Sequence, residues 1–397
     1  MPFSARASRG RPGGRADVLF LHFGDVTGSS RALRQLRVLS GMGLRVEAVG
    51  VGPVRDAGAL PDGVAYTALP APGGRGPAVF WAAHRAVRAA ALDRPARVVH
   101  ASDLHVLPAA AAAAGRHGAR LAYDAREWYA GLDASAGRPL VGRVWAAVES
   151  RYAPQCSVVF TVNGAIADRL AAERRIARPV VMHNATDAPR GARTGALRKR
   201  LGIDAAQPIV LYQGLFRPGR GLPHLVDALV DVPDAVLVLI GEGAMERDLR
   251  ALAADRLPGR AHVLPFTPPG ALARLTPDAD LGALALEPLT ESLRLALPNK
   301  LFEYAAADVP VLAGAGIVPL HDAVERYGAG VVADPADRDG LVAALRRGLD
   351  PGRRAGFQAG LGRLREAFAY EHEAARFRTA YAALLSGPAE GGRTFLA

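Results

Sequence analysis

The sequence predicts an α/β chain made of two doubly wound parallel sheets, and three observations carry that prediction. Short apolar runs without polar alternation recur along the chain, as strands covered on both faces require. Helical patterns separate them in steady βα alternation. The length of 397 residues exceeds one ordinary core and suits two domains of roughly 150 to 200 residues each.

The first series places strands near 16–23, 45–50, 97–101, 119–124, 156–161 and 179–183, with helices near 29–40, 80–92, 104–115, 138–152 and 164–173. Composition then shifts over 185–206, where Asp, Pro, Gly, Arg and Thr gather in a poorly periodic stretch. A second series follows, with strands near 208–213, 236–240, 261–264, 280–285, 309–313 and 329–332 and helices near 221–230, 244–254, 269–275, 299–307, 319–326 and 338–348. The expected division is a flexible basic leader over 1–15, a first domain over 16–186, a linker over 187–207, a second domain over 208–365, and a helix and tail over 366–397 that cross back to the first domain. Gly356, Gly360 and Gly362 are expected to break the last helical stretch. Two such sheets facing each other would turn the carboxyl ends of their strands toward one central cleft, the usual ligand position in this class.

Composition narrows the function. The formal charge is +11, yet aromatics are only 6% and the arginines are scattered, which argues against a nucleic-acid groove. An anionic small substrate, or a weak peripheral attraction to an anionic membrane face, uses the same charge. No segment reaches the ~20 apolar residues that span a bilayer. The single cysteine, Cys156, allows neither an intrachain disulfide nor a thiolate zinc cage and suits a reducing cytoplasm. No metal-ligand spacing occurs among the strand ends, so a protein-built metal site is not expected.

Lysine is nearly absent: Lys199 and Lys300 are the only two. Lys300 sits in Pro298-Asn299-Lys300-Leu301-Phe302-Glu303-Tyr304, where Pro298 is expected in the first turn of a helix. Lys300 and Glu303, three apart, share a face that offers a cation to phosphate and a carboxylate to a sugar hydroxyl. A capped surface helix with an ion pair is the plainer reading of the same pattern. The junction Gly214-Leu215-Phe216-Arg217-Pro218-Gly219-Arg220-Gly221 joins glycines that permit close backbone approach with guanidinium forks that match phosphate oxygens. Gly241-Glu242-Gly243 closes the next strand, and each of these could equally be an ordinary βα turn.

In the first domain Gly24 and Asp25 follow the first strand, and Ser29 is placed to cap the next helix. His100, Asp103 and His105 end or follow one strand, and Asp124, Arg126 and Glu127 end the next. Two adjacent strand ends bring ionisable groups to one rim, where Asp103, Asp124 or Glu127 could orient a hydroxyl. Any of them could instead cap a turn, and His105 reads better as a satisfied histidine inside the following helix. His183-Asn184 closes the domain and reads as either a ligand contact or a hinge.

With these residues together, the chain resembles the group 1 (GT4) glycosyltransferases over roughly 16–385. Gly214, Arg217, Arg220-Gly221, Gly241-Glu242-Gly243 and Pro298 to Ala305 carry the resemblance, Pro310-Val311 extends it, and His100-Ala101-Ser102-Asp103 and Tyr123-Asp124-Ala125-Arg126-Glu127 resemble the family's first-domain segments. The resemblance implies the GT-B architecture of two Rossmann-like domains. It implies retaining, metal-independent transfer from a nucleotide diphosphate sugar of the UDP or GDP type, with no bound cofactor. Acceptors would be a glycan, a lipid-linked species or a small molecule. By resemblance Arg220 neutralises the leaving diphosphate and Glu303, the second Glu of an E-x7-E motif, holds the donor ribose, while Gly214, Arg217, Gly241, Gly243, Asn299, Lys300 and Leu301 complete the donor side. Arg220, Asp103 and Glu127 are the expected catalytic residues, and Gly24, Asp25, Ser29, His100, Asp124 and Arg126 line the acceptor side. Three positions depart from the pattern: Leu295 replaces the first motif Glu, with Glu291 nearby; Arg126 replaces His; and Asp308 replaces Gly after the Glu helix. A nucleotide-sugar epimerase and a non-catalytic sugar-nucleotide-binding partner are the competing readings, and a phosphorylase-like enzyme would need Lys300 for pyridoxal phosphate. The expected location is the cytoplasm, peripheral to the inner membrane face.

Overall fold

The computed structural model describes residues 14–74, 77–132, 139–186 and 190–386. The leader before residue 14, the start of the expected linker at 187–189 and the tail after 386 lie outside them. The chain forms two compact units: residues up to His183 with those from Glu371 onward, and Asn184–Tyr370.

The sheet of the first unit contains β1 (Ala16–Leu21), β2 (Val46–Val51), β3 (Val64–Leu69), β4 (Ala96–Ala101), β5 (Arg120–Ala125), β6 (Val158–Thr161) and β7 (Val180–Val181). All neighbours pair in parallel, in the order β3-β2-β1-β4-β5-β6-β7. Val18, Leu19, Phe20 and Leu21 are fully buried, as a strand covered on both faces must be. The order reverses between β1 and β4, which opens a crevice at their carboxyl ends. Strand β3 has no counterpart in the sequence reading, because Val64–Leu69 is a half-buried edge segment whose apolar content is diluted by Tyr and Thr.

Local chemistry sets the helix ends. The helix Ser30–Gly41 starts where Ser29 Oγ accepts from the Ala32 amide at 3.4 Å. The helix Leu107–His117 has Pro108 in its first turn, Arg116 and His117 at its carboxyl end, and Gly118 at φ 55° beyond it. The last helix, Tyr370–Ser386, belongs to the first unit, where Phe377 and Tyr381 lie fully buried.

The second sheet contains β8 (Ile209–Leu215), β9 (Val236–Glu242), β10 (Ala261–Leu264), β11 (Leu281–Leu284), β12 (Val311–Gly314) and β13 (Gly330–Ala333), again all parallel, in the order β10-β9-β8-β11-β12-β13. Alternate residues feed opposite cores: Leu211, Val238 and Val311 one, Val210, Leu237 and Leu312 the other. Its crevice opens between β8 and β11.

Two expectations change here. The stretch expected to link the domains is part of the second unit: Ala196–Leu201 is helical, and buried Asp278 accepts from the amides of Thr194, Gly195 and Leu197 at 3.0, 2.8 and 2.7 Å. Its polar, aperiodic composition serves loop anchoring rather than freedom. Gly356, Gly360 and Gly362 do not break a helix; all three lie inside Arg354–Ala367, and the break comes at Phe368-Ala369. A Cβ on Gly360 would stand 2.1 Å from the Gly328 carbonyl oxygen, so that glycine permits close packing of helix on backbone.

Candidate functional site

The crevice of the second unit gathers cations. Strand β8 runs through Tyr212-Gln213-Gly214 to Leu215, and Gly214 adopts φ 138°. A Cβ there would fall 2.3 Å from Lys300 Cε and 2.7 Å from its Nζ, so the ammonium lies directly over the glycine backbone. Gly241, Gly243 and Gly221 serve a different end. Added Cβ atoms would meet the carbonyl oxygens of Gly214 at 1.8 Å, Phe216 at 2.4 Å and Ala285 at 1.9 Å, so these glycines let the loops nest on one another. Glu287, beyond β11, accepts from the Gly221 amide at 3.1 Å and lies 3.4 Å from His224 Nε2. Sequence reasoning missed this anchor, since a single Glu after a strand carries no signal of its own.

Lys300 stands in the first turn of the helix Asn299–Ala306. Pro298 is its N-cap rather than its first helical residue, with ψ 146° and no side-chain capping bond. Burial pushes the Lys300 pKa down, Glu303 pulls it up, and Arg220 and Arg217 push it down again. Lys300 therefore feels one carboxylate and two further cations. Burial raises the Tyr212 phenol to about 12 against the pull of Arg220 and Arg217, and its hydroxyl donates to the Leu215 carbonyl at 2.8 Å.

Glu303 is exposed but held: Gln213 Nε2 donates to it at 2.6 Å, and Thr276 Oγ1 donates to Gln213 Oε1 at 2.9 Å. Leu301 is fully buried and belongs to the core. Leu295 follows the four-residue helix Glu291–Arg294, whose first residue Glu291 is exposed. Asp308, the unusual residue after the Glu helix, adopts φ 55°, and its carboxylate accepts from Arg190 and Arg365 while Arg365 also donates to the Ala305 carbonyl at 2.6 Å. Asp tolerates the left-handed conformation that glycine would otherwise supply, and the two arginines add an ionic cap.

The rim of the first unit is different. Asp103 Oδ1 accepts from the amides of His105 and Val106 at 2.8 and 3.2 Å, and Oδ2 from the amide of Phe23 at 3.0 Å. Burial pushes this carboxyl up, but those bonds and the neighbouring His105 and His22 hold it well below the usual range. Its observed role is to tie two loops together. His105 lies in the short turn Leu104–Val106 rather than in the following helix.

Asp124 and His100, expected on the acceptor side, are fully buried. Both Asp124 oxygens accept from Arg31 at 2.7 Å and Oδ2 also accepts from Gln35 at 2.8 Å, and Arg31 holds the carboxyl below its ordinary value against the upward push of burial. His100 stacks on Phe20 at 4.6 Å and its Nδ1 lies 2.6 Å from the Tyr381 hydroxyl, with burial lowering its pKa to about 4. The C-terminal helix covers that face of the sheet, a long-range fact no local pattern carries. Asp25 caps the turn Val26–Gly28 and accepts from the Arg55 amide at 2.9 Å and the Tyr66 hydroxyl at 3.2 Å.

What remains at the rim is Gly24 at φ 135°, Ser29, Arg126, Glu127 and the unexpected His22. Arg126 donates to Ser29 Oγ at 3.1 Å, and Glu127 is exposed. His22 Nδ1 lies 2.6 Å from Ser102 Oγ, and burial lowers its pKa to about 4. His183 does not face a rim: its amide and its Nδ1 both meet Glu373 at 2.9 Å, where the chain leaves and re-enters the first unit. Cys156 precedes β6 with Sγ 3.5 Å from the Tyr152 carbonyl, and burial raises its thiol. Among the described residues, no group of three His, Cys, Asp or Glu side chains is placed to hold a metal ion.

Comparison with known proteins accords with this geometry. A sucrose-phosphate synthase from Thermosynechococcus elongatus superposes with a TM-score of 0.75 at 16% identity, covering 93% of this chain and 99% of the other. HepE from Anabaena, in complex with UDP and glucose, superposes with a TM-score of 0.73 at 16% identity over 93% and 100%. A trehalose-6-phosphate structure from E. coli, bound with UDP-2-fluoro glucose, gives 0.67 at 13% over 94% and 100%. These likenesses show the fold, two Rossmann-like parallel-sheet units of the GT-B architecture. No curated protein matches the sequence. The model of the glycosyl transferase 4-like domain matches residues 27–185 and that of glycosyl transferases group 1 matches residues 194–355, one on each unit, and the chain belongs to the group 1 (GT4) glycosyltransferases.

Proposed function

We propose that the protein transfers a glycosyl group from a nucleoside diphosphate sugar to a hydroxyl of a glycan, glycolipid or small-molecule acceptor, with retention at the anomeric carbon. The observation that carries this is the seat of Lys300 over the Gly214 backbone at a sheet switch point, with Arg217 and Arg220 close enough for their charges to act on it. As the bond from the anomeric carbon to the diphosphate breaks, negative charge grows on phosphate oxygens, and fixed cations there lower the barrier. Lys and Arg then do the neutralising that a metal does elsewhere. Glu303, held by Gln213, is set to accept from ribose hydroxyls. UDP and glucose in HepE, and UDP-2-fluoro glucose in the E. coli structure, support a donor of this class.

At the first unit we assign Glu127, the exposed carboxylate, to the acceptor hydroxyl, and Asp103 to positioning the loops that carry His22 and Ser102. The lone Cys156 accords with a cytoplasmic location. The test is transfer from UDP- and GDP-sugars with the product's anomeric configuration read by NMR. Retained configuration is expected. An inverted product overturns the retaining mechanism, and donor binding with neither transfer nor hydrolysis moves the protein to a non-catalytic partner role.

A further inference from the structure

Arg126 follows β5 at the carboxyl edge of the first sheet, and among the described residues its guanidinium makes a single hydrogen bond, to Ser29 Oγ at 3.1 Å. No described carboxylate forms an ion pair with it, exposed Glu127 beside it in sequence included. The carboxylates whose charges reach neighbouring His22 are already committed. Asp124 is held by Arg31 and Gln35, Asp103 by the amides of Phe23, His105 and Val106, and Asp25 by its own turn, the Arg55 amide and Tyr66. Arg31 and Arg174, by contrast, are buried on Asp124 and Glu149 at 2.7 and 3.0 Å. A half-buried guanidinium that spends one donor inside the fold keeps the others for a partner outside it.

A second donor stands beside it. His22 has 7% of its side chain exposed, and its Nδ1 lies 2.6 Å from Ser102 Oγ. Ser102 is buried too, and among the described residues its hydroxyl has His22 as its partner. A buried hydroxyl keeps its proton in a hydrogen bond, so Ser102 donates to Nδ1 and the neutral ring carries its hydrogen on Nε2. Nε2 is turned toward Gly24, where an added Cβ would stand 3.7 Å from it and meet nothing but this ring. The N–H therefore looks onto open space. Arg126 lies close enough for its charge to act on the same ring.

One fixed guanidinium and one neutral N–H at a strand end offer a single positive charge and directed donors. A carboxylate matches that set, with a single negative charge and two oxygens that suit a guanidinium. A phosphate monoester brings nearly two charges to one cation, and a plain hydroxyl leaves the guanidinium without a counter-charge. We propose that Arg126 and His22 hold a carboxylate carried by the acceptor, which makes the acceptor a uronic acid or a glycan that contains one. The inference rests on the transfer reading above and narrows its acceptor. Because Arg126 departs from the family pattern, which carries His there, the preference belongs to this chain.

The test is NMR titration of the full chain, with and without UDP, by methyl glucuronoside and methyl glucoside, two sugars that differ only where one carries the carboxylate. Wild type is expected to bind the glucuronoside at least tenfold more tightly, the scale of one charge-assisted pair. Arg126→Gln should remove the preference, and Arg126→Lys, which keeps the charge and loses the fork, should keep part of it. His22→Leu should lower the preference severalfold, and His22→Gln, which returns an N–H, should restore it. A ratio of two sugars is not moved by loss of folded protein, so a merely structural role would leave it unchanged. No preference in wild type overturns the proposal, as does a preference that survives Arg126→Gln. Tighter binding of glucose 6-phosphate than of either sugar overturns the carboxylate. A preference seen only between UDP-glucuronic acid and UDP-glucose places the carboxylate on the donor and overturns the proposal too. UDP binding without the preference leaves the transfer reading standing, and the preference without UDP binding does the reverse, so the two fail separately.

Discussion

The two sheets share one strand order over six strands, the first adding β7 at its edge, and differ in what stands at their switch points. In the second unit, Lys300 lies over the Gly214 backbone beside Glu303, and Arg217 and Arg220 add positive charge that acts on it. In the first unit the strongest charges are matched inside the fold, Asp124 by Arg31 and Gln35 and Asp103 by three amides. One crevice concentrates positive charge, and the other has internalised its charges, leaving His22 on Ser102 and Arg126 on Ser29 at its strand ends. Paired charges buried in a fold maintain structure; charges concentrated at an open strand end recognise a ligand.

The largest effect separates the two directly. Arg220→Ala should lower turnover by about 100- to 1000-fold, the scale of losing one oxyanion donor, while moving stability by less than about 1 kcal/mol. Asp124→Asn should do the reverse. It leaves Arg31 unmatched in the core, costs about 3–5 kcal/mol, and leaves turnover per folded molecule nearly intact. Paired thermal melts and initial rates decide this, and equal losses of rate would erase the distinction.

A smaller contrast comes from glycines of similar backbone shape. Gly214→Ala forces the Lys300 side chain aside and should weaken donor binding by about tenfold or more. Gly24→Ala, whose Cβ would meet nothing closer than His22 Nε2 at 3.7 Å, carries only the conformational cost of about 1–2 kcal/mol and should leave donor binding unchanged. Calorimetric titration of both variants checks the pair.

Acid gives the mildest test. His22 and His100 hold pKa values of about 4 when folded against 6.5 ordinarily, so between those limits the unfolded chain binds more protons and stability falls as pH drops. Each ring accounts for up to about 3 kcal/mol, fully lost below its folded value. Replacing His100 with Phe should flatten the decline of the melting temperature from neutral pH toward pH 4. An unchanged slope would show that the ring is protonated in the fold.

The alternation of apolar runs and helices located twelve of the thirteen strands, because strands covered on both faces write their burial into consecutive residues. The edge strand Val64–Leu69 escaped because half-burial dilutes that signal. On the side proposed for the donor, the approach of Lys300 to the Gly214 backbone was legible because close contact with a backbone demands glycine, and Arg217 and Arg220 stand in the same short segment. The acceptor side was less so. His100 and Asp124 look like site residues in sequence, and only the covering helix Tyr370–Ser386 and the distant Arg31 reveal them as core. Burial by long-range partners leaves no local trace, and His22 was overlooked for the same reason.

The most direct test of the central claim is calorimetry of UDP-, GDP-, ADP- and TDP-sugars against wild type, Arg220→Ala and Glu303→Ala. The account predicts selective binding of one nucleotide class, weakened by each substitution while the fold persists. Binding that survives both substitutions unchanged would contradict the placement of the donor over Gly214 and Lys300, and no binding of any of the four would contradict the donor class itself.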